Sequence, residues 1–235
     1  MFIYSRTRAL LTALTLITLS PLAHAADYGG IALGSTRVIY PQGSEQISLS
    51  VNNTDGKGVF LIQSWVENAD SHKSSDFVVT PPLFVIKPQK ENTLRVMFIG
   101  QRNALPKDRE SLYWMNVKAI PAASKDSQNK NTLQIAVLNR IKMFIRPTGL
   151  VMKSADAPDH LRFHQSGTQL IVKNPTPYYI TLVQLMDGAA ELPATMVPPM
   201  GQSTVSVPHN AHGQITFQTV NDYGANTPKQ NAVME

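Results

Sequence analysis

Apolar side chains recur at every second position in short runs along most of the chain, each run stopped by Pro, Gly, Asn or Asp. A period of two marks a half-buried strand, whereas a surface helix would repeat its apolar stripe every three to four residues. "IALGSTRVIYP", "EQISLSVNN", "GVFLIQSWVEN", "DFVVTPPLFVIKP", "ENTLRVMFIG" and "ESLYWMNVKAIP" are such runs. With the opening stretch they amount to about seven strands in about 120 residues, the number and spacing of an immunoglobulin-like sandwich. "RPTGL" then punctuates the pattern, and a second set follows in "HLRFHQSG", "TQLIVKNP", "YYITLVQLMDG", "QSTVSVP" and "GQITFQTVND", with "NPTPYY" as a Pro-locked turn. The pattern predicts an all-β fold of two immunoglobulin-like β-sandwich domains, residues 26–147 and 148–235, joined by a short Pro-containing hinge. The nearest helical candidate, "RNALPKDRE", is interrupted by Pro106 and reads as a loop or single turn.

Residues 1–25 stand apart from this pattern. Arg6 and Arg8 precede the apolar run "ALLTALTLITLS", and Ala23, His24 and Ala25 supply a small-residue cleavage site. That is a secretory signal peptide, and it places the mature chain outside the cytoplasm. No later stretch approaches the length of a membrane span, so no membrane insertion is expected. An exported chain with Cys 0 has no disulfides to rely on and must be held by its hydrophobic cores. Of the formal charge of +5, Arg6 and Arg8 supply two. The remaining basic residues are scattered, without a Lys/Arg tract or interleaved aromatics, which argues against nucleic acid as a partner.

Catalytic patterns are missing from the sequence. There is no G-x-S-x-G elbow, phosphate loop or H-E-x-x-H pair, and nothing nominates a Ser/His/Asp triad. His160 and His164 in "HLRFH" would share one face of a helix, but the segment reads as a strand. Four residues along a strand span about 13 Å, too far for two imidazoles to share one metal. Neither enzyme activity nor a cofactor or metal is expected.

The segment "NTLQIAVLNRIKMFIRP", Asn131 to Pro147, is the anomaly. Leu133, Ile135, Val137, Ile141, Met143 and Ile145 alternate over more than twice the usual strand length. Arg140, Lys142 and Arg146 share the opposite parity, so one face carries three cations. A plain core strand with a wet side is one reading. The other is an unfinished sheet edge that adds an extended peptide by backbone pairing while a cation captures its terminal carboxylate. A long apolar edge is an aggregation hazard, so its retention in an exported protein favours a partner. Lys142 and the Leu133, Ile135, Val137 stripe have opposite parity, which requires either a bulge or strong twist, or a groove and a cleft on different sides of the strand.

"LPKDRESLYWMN", "TLQIAVLNRIKMFIRP", "NPTPYY" and "NDYG" together resemble the periplasmic pilus-assembly chaperones of the usher pathway, over nearly the whole mature chain. "LGSTRVIYP", "SWVENAD", "VPPMG" and "VME", with a short polar loop "ASKDSQNKN", are most similar to the short-loop branch serving type 1 fimbriae. The resemblance implies two sandwich domains in an L-shaped, boomerang arrangement and a non-enzymatic periplasmic role. It implies that Leu133, Ile135 and Val137 are lent to pilus subunits (pilins or an adhesin) lacking their last strand, in donor-strand complementation, and that the subunits are delivered to an outer-membrane usher. It further implies that Arg37 and Lys142 hold the subunit's C-terminal carboxylate, and that Glu110, Arg146 and Asp222 form an interdomain ion network. The rival is a structural or adhesive pilus component. Against it, the chain lacks a Cys pair and an extended N-terminal donor segment, and Trp 2 gives little for a sugar-binding surface.

Overall fold

The structure, a computed structural model, describes residues 29–123, 133–209 and 213–235. The expected signal peptide and nearly all of the polar loop 123–131 lie outside these residues. The first unit contains β1 (Ile31–Leu33), β2 (Arg37–Pro41), β3 (Gln46–Asn53), β4 (Phe60–Asn68), β5 (Phe77–Thr80), β6 (Leu83–Ile86), β7 (Glu91–Phe98), β8 (Ser111–Pro121) and β9 (Val137–Arg146). They form two sheets, β1-β3-β7-β5 and β2-β9-β8-β4-β6. Alternate residues turn inward: Ile62 and Val66 of β4, Met115 and Val117 of β8, Leu94 and Val96 of β7, Met143 and Ile145 of β9. Phe77 meets Tyr40, Phe98 and Tyr113 edge-on at the centre. Tyr40 brings a hydroxyl into this core, where it accepts from the Phe98 amide at 3.0 Å and donates to the Glu45 carbonyl at 2.9 Å. Its polar end is thereby satisfied.

The second unit holds β10 (Arg162–Ser166), β11 (Gln169–Asn174), β12 (Ile180–Asp187), β13 (Ala190–Glu191), β14 (Thr195–Val197), β15 (Gly201–Ser206), β16 (Ile215–Thr219) and β17 (Gln230–Asn231). One sheet is β10-β11-β15; the other is β13-β12-β16-β17, with β14 paired to β12. Phe163, Leu170, Leu182, Leu185 and Phe217 fill a core separate from the first. Each such side chain withdrawn from water contributes about 1.5–3 kcal/mol, and two such cores hold the fold without a disulfide.

Several sequence runs divide differently in the fold. "IALGSTRVIYP" is two strands in opposite sheets, because the chain crosses over at Gly34–Thr36. "DFVVTPPLFVIKP" likewise splits into β5 and β6 at Pro81–Pro82, where proline has no N–H to continue a ladder. The anomalous strand is shorter than its alternation predicts. Ladder pairing begins at Val137, opposite Ala119, and among the described residues Leu133–Ala136 have no strand partner. His160 ends a short 3-10 turn, Ala157–His160, rather than lying in a strand with His164. Among the described residues no three metal-ligating side chains gather. "RNALPKDRE" contains a single 3-10 turn, Arg102–Ala104.

Candidate functional site

β9 is the element around which the site is built. It pairs antiparallel with β8 from Val137 to Ile145, without a break in register. On its other edge β2 pairs with it in parallel, but only from Lys142 to Arg146. Among the described residues Val137 to Ile141 therefore have no partner on that edge, over about 17 Å. The unbroken register answers the question of parity. Ile141, Met143 and Ile145 face the core, and Val137 stands in the same row; Arg140, Lys142, Phe144 and Arg146 face the other way. No bulge intervenes between Val137 and Ile145, so Val137, the last residue of the stripe, and the cations lie on opposite faces of one strand. Leu133 (87% exposed), Ile135 (66%) and Val137 (56%) are open to solvent.

The cationic face meets the second unit. Arg37 and Lys142 are direct partners in the parallel register. The Arg37 guanidinium donates to the Val220 carbonyl at 2.8 Å, and Lys142 Nζ donates to Thr181 Oγ1 at 2.9 Å. Burial pulls the Lys142 pKa below its ordinary value, and the like charge of Arg37 adds to the effect. Burial also lowers that of Arg37, partly offset by Asp222 and Glu110. Among the described residues neither cation is in an ion pair, and the buried Arg37 Nε has no hydrogen-bond partner. Two adjacent desolvated cations with a spare donor are an electrostatic vacancy for an anion.

Four residues further along β9, Arg146 joins the units. Its Nε donates to Glu110 at 2.7 Å, while Nη1 and Nη2 hold both oxygens of Asp222 at 2.7 Å each. Glu110 is 3% exposed. Its second oxygen accepts from the Tyr179 amide at 2.8 Å, and its own amide donates to the Pro177 carbonyl at 2.9 Å. Burial lifts the Glu110 pKa against the pull of Arg146 and the Tyr179 amide. For Asp222 burial acts upward too, but hydrogen bonds from Arg146 and Ser154 outweigh it and hold the carboxyl below its ordinary value. Phe144 stacks on Tyr179, ring centres 5.5 Å apart, and the Arg146 guanidinium lies 4.9 Å from the centre of the Tyr178 ring. "NPTPYY" supplies these tyrosines because buried Asn174 ties the turn. Its amide donates to the Tyr178 and Pro198 carbonyls at 2.7 and 3.0 Å, and its oxygen accepts from the Thr176 amide at 3.0 Å. Thr181, Val220, Phe144, Tyr179 and Ser154 were not singled out by sequence reasoning. Most act through a backbone atom or an unremarkable side chain, which leaves no pattern to read.

The sequence matches the family described as "Pili and flagellar-assembly chaperone, PapD N-terminal domain" over residues 30–151 and "Pili assembly chaperone PapD, C-terminal domain" over residues 156–231. The chain belongs to the pilus-assembly chaperone family. It is similar to the chaperone protein FimC of Escherichia coli K12, 53% identical over 206 residues, covering 88% of this chain and 85% of that protein. The crystal structure of the periplasmic chaperone SfaE is 49% identical with a TM-score of 0.76, over 87% of this chain and 100% of that one. The Salmonella enterica SafB chaperone, solved in complex with the SafA pilin, is 30% identical with a TM-score of 0.79, over 89% of this chain and 98% of the matched one. This chaperone is thus a two-domain, all-β member of the fimbrial group. Among its described residues no helix is long and apolar enough to cross a membrane.

Proposed function

We propose that this chaperone works in the periplasm, after loss of residues 1–25, with domains 26–147 and 148–235. In this reading it captures pilus subunits by lending them the start of β9 and passes them to an outer-membrane usher. The observation that carries the reading is the half-vacant edge of β9, which ends at the two unpaired cations. A subunit whose terminal carboxylate rests on Arg37 and Lys142, and whose last strand continues along Val137–Ile141, has to run parallel to β9. It then lies head to tail with β2. Leu133, Ile135 and Val137 would fill the subunit's open groove from the opposite face, which is how strand addition combines backbone affinity with side-chain specificity. Arg146, Glu110 and Asp222 hold the interdomain angle that aligns Thr181 and Val220 with the cations.

The test is co-expression of the tagged chain with candidate pilus subunits, followed by isolation of complexes. Lys142→Ala and Arg37→Ala should each stay folded and lose subunit capture. Removing one partner of a desolvated charge pair costs about 2–5 kcal/mol, roughly 30- to several-thousand-fold in affinity. Ile135→Glu should fail as well, since it drives a charge into an apolar groove. Wild-type yields from all three would overturn the assignment. So would amides at Val137–Ile141 protected equally against hydrogen exchange with and without subunit.

A further inference from the structure

Among the described residues four buried side-chain polar atoms lack a hydrogen-bond partner: Arg37 Nε, Asn116 Oδ1, Asn139 Nδ2 and Gln230 Oε1. Two of them lie on the path of the strand to be added. Arg37 stands where the unpaired edge of β9 ends, and Asn139 is the middle one of the five residues Val137–Ile141 that form that edge. Asn139 also interrupts the odd row of β9. Val137 precedes it, open to solvent, and Ile141, Met143 and Ile145 follow it against the core. Across the ladder it is in register with Val117 of β8, which is fully buried, and through Val117 with Ser64 of β4. The amide therefore sits at the seam between the stripe offered outward and the chaperone's own core. An apolar side chain would fill that place without stranding a donor, whereas an enclosed N–H with no acceptor destabilises the free chain.

Resting on the reading above, we infer that Asn139 is a specificity-determining residue: its amide donates to a hydrogen-bond-accepting side chain on the subunit's last strand, two residues before the C-terminus. The position follows from β2. Arg37 is level with Lys142, and a strand lying head to tail with β2 puts its last residue level with Ile141. The residue two earlier is then level with Asn139, and its side chain leaves the sheet on the same face. It becomes the next member of the row Ser64, Val117, Asn139. The group that fits is a neutral acceptor, Ser, Thr, Asn or Gln, since the cations of β9 point to the other face and would leave a carboxylate there unpaired. The apolar stripe cannot fix the register by itself. A slip of two residues returns every side chain to the same face, so Leu133, Ile135 and Val137 would still meet apolar partners. The same slip sets Asn139 against a different residue. One buried asparagine in an apolar seam fixes the register of coiled coils in this way, at a cost in stability. The cations thus sense where the subunit ends, and Asn139 senses what stands two residues before that end.

The experiment is a double-mutant cycle on the complex with a pilus subunit that co-purifies with the tagged chain, read by the rate of subunit dissociation. Asn139→Leu on the chaperone, and replacement by leucine of the subunit's residue two before its C-terminus, should each speed release about 10-fold. The two changes together should release the subunit more slowly than either alone, because no donor or acceptor is then left unpaired. The same replacement four residues before the C-terminus should show no such coupling to Asn139→Leu. Free Asn139→Leu should have a urea midpoint at or above that of wild type, which separates lost recognition from misfolding. Independent effects of the two changes, in a complex whose Val137–Ile141 amides are protected against exchange, would overturn the role of Asn139 and leave strand capture standing. So would co-purifying subunits that all carry an apolar residue at that position, or a lower urea midpoint for free Asn139→Leu, which would mean that the amide is bonded within the chaperone. Failure of the wild type to co-purify any subunit would overturn both.

Discussion

Arg146→Ala is the sharpest test of how the two domains are held. Arg146 makes three hydrogen bonds of 2.7 Å to carboxylates of both domains, and its removal strips Glu110 and Asp222 of their counter-ion at once. Breaking a buried pair from one side costs about 3–5 kcal/mol, because the stranded charge keeps its desolvation penalty. Glu110, with 1% side-chain exposure, falls in that class; Asp222, at 30%, is partly relieved by water and by Ser154. We therefore predict a loss near the lower end, about 3 kcal/mol. For a protein of this size that lowers the unfolding temperature by about 6–12 °C. Calorimetry should also show one transition dividing into two, since each domain has its own core and the arginine couples them. The double variant Arg146→Ala/Glu110→Gln should recover part of the loss, because the stranded charge is gone. If the double variant is no more stable than Arg146→Ala, or Arg146→Ala stays within about 0.5 kcal/mol of wild type, the trio behaves as ordinary surface charge.

Acid should act on the two carboxylates in opposite directions. Glu110, its pKa raised by burial, takes up its proton in the folded state ahead of the unfolded chain, so its contribution to stability rises as pH falls through the folded pKa. Asp222, its pKa lowered, contributes fully above its unfolded value of about 4 and loses that contribution as pH falls through the folded one. Urea midpoints at pH about 5 and about 3 should therefore diverge less in Asp222→Asn than in wild type; an equal drop sinks the account. Gly224→Ala should weaken the interdomain contact twice over, since its φ is +84° and an added Cβ would collide with Thr36 Oγ1. Adding Thr36→Ala should rescue only the collision, as read by thermal unfolding, and a full rescue would show that the backbone conformation costs nothing. Asn174→Ala, which leaves the Tyr178 and Pro198 carbonyls without their donor, should cost about 1–3 kcal/mol and loosen Tyr179. Unchanged urea stability would mean that the turn is held by its prolines alone.

The strand-rich two-domain organisation was legible because half-buried strands carry their own period. Arg146, Glu110 and Asp222, three charges far apart in sequence, were named through resemblance; their spacing gives no hint that they meet. Where the reading slipped, the cause was tertiary. Alternation through Leu133–Ala136 looks the same whether or not a partner strand is present, and here the β8–β9 ladder begins only at Val137 although β8 itself continues to Pro121. The breaks inside "IALGSTRVIYP" and "DFVVTPPLFVIKP" were hidden because residues on both sides of each crossing are strand formers. Thr181 and the Val220 carbonyl, which hold the two cations, have no signature of their own.

The double duty of β9 sets a rule for length variation. From Ile141 to Arg146 the odd residues Ile141, Met143 and Ile145 answer to the core and the even residues Lys142, Phe144 and Arg146 to the cleft, within one continuous register. Inserting or deleting a single residue there would exchange the two sets, putting cations into the sandwich and methionine and isoleucine into the ion network. A change of two residues would restore the faces but carry Lys142 about 7 Å past Arg37. The segment thus behaves like a ruler with a fixed zero at the Arg37–Lys142 rung.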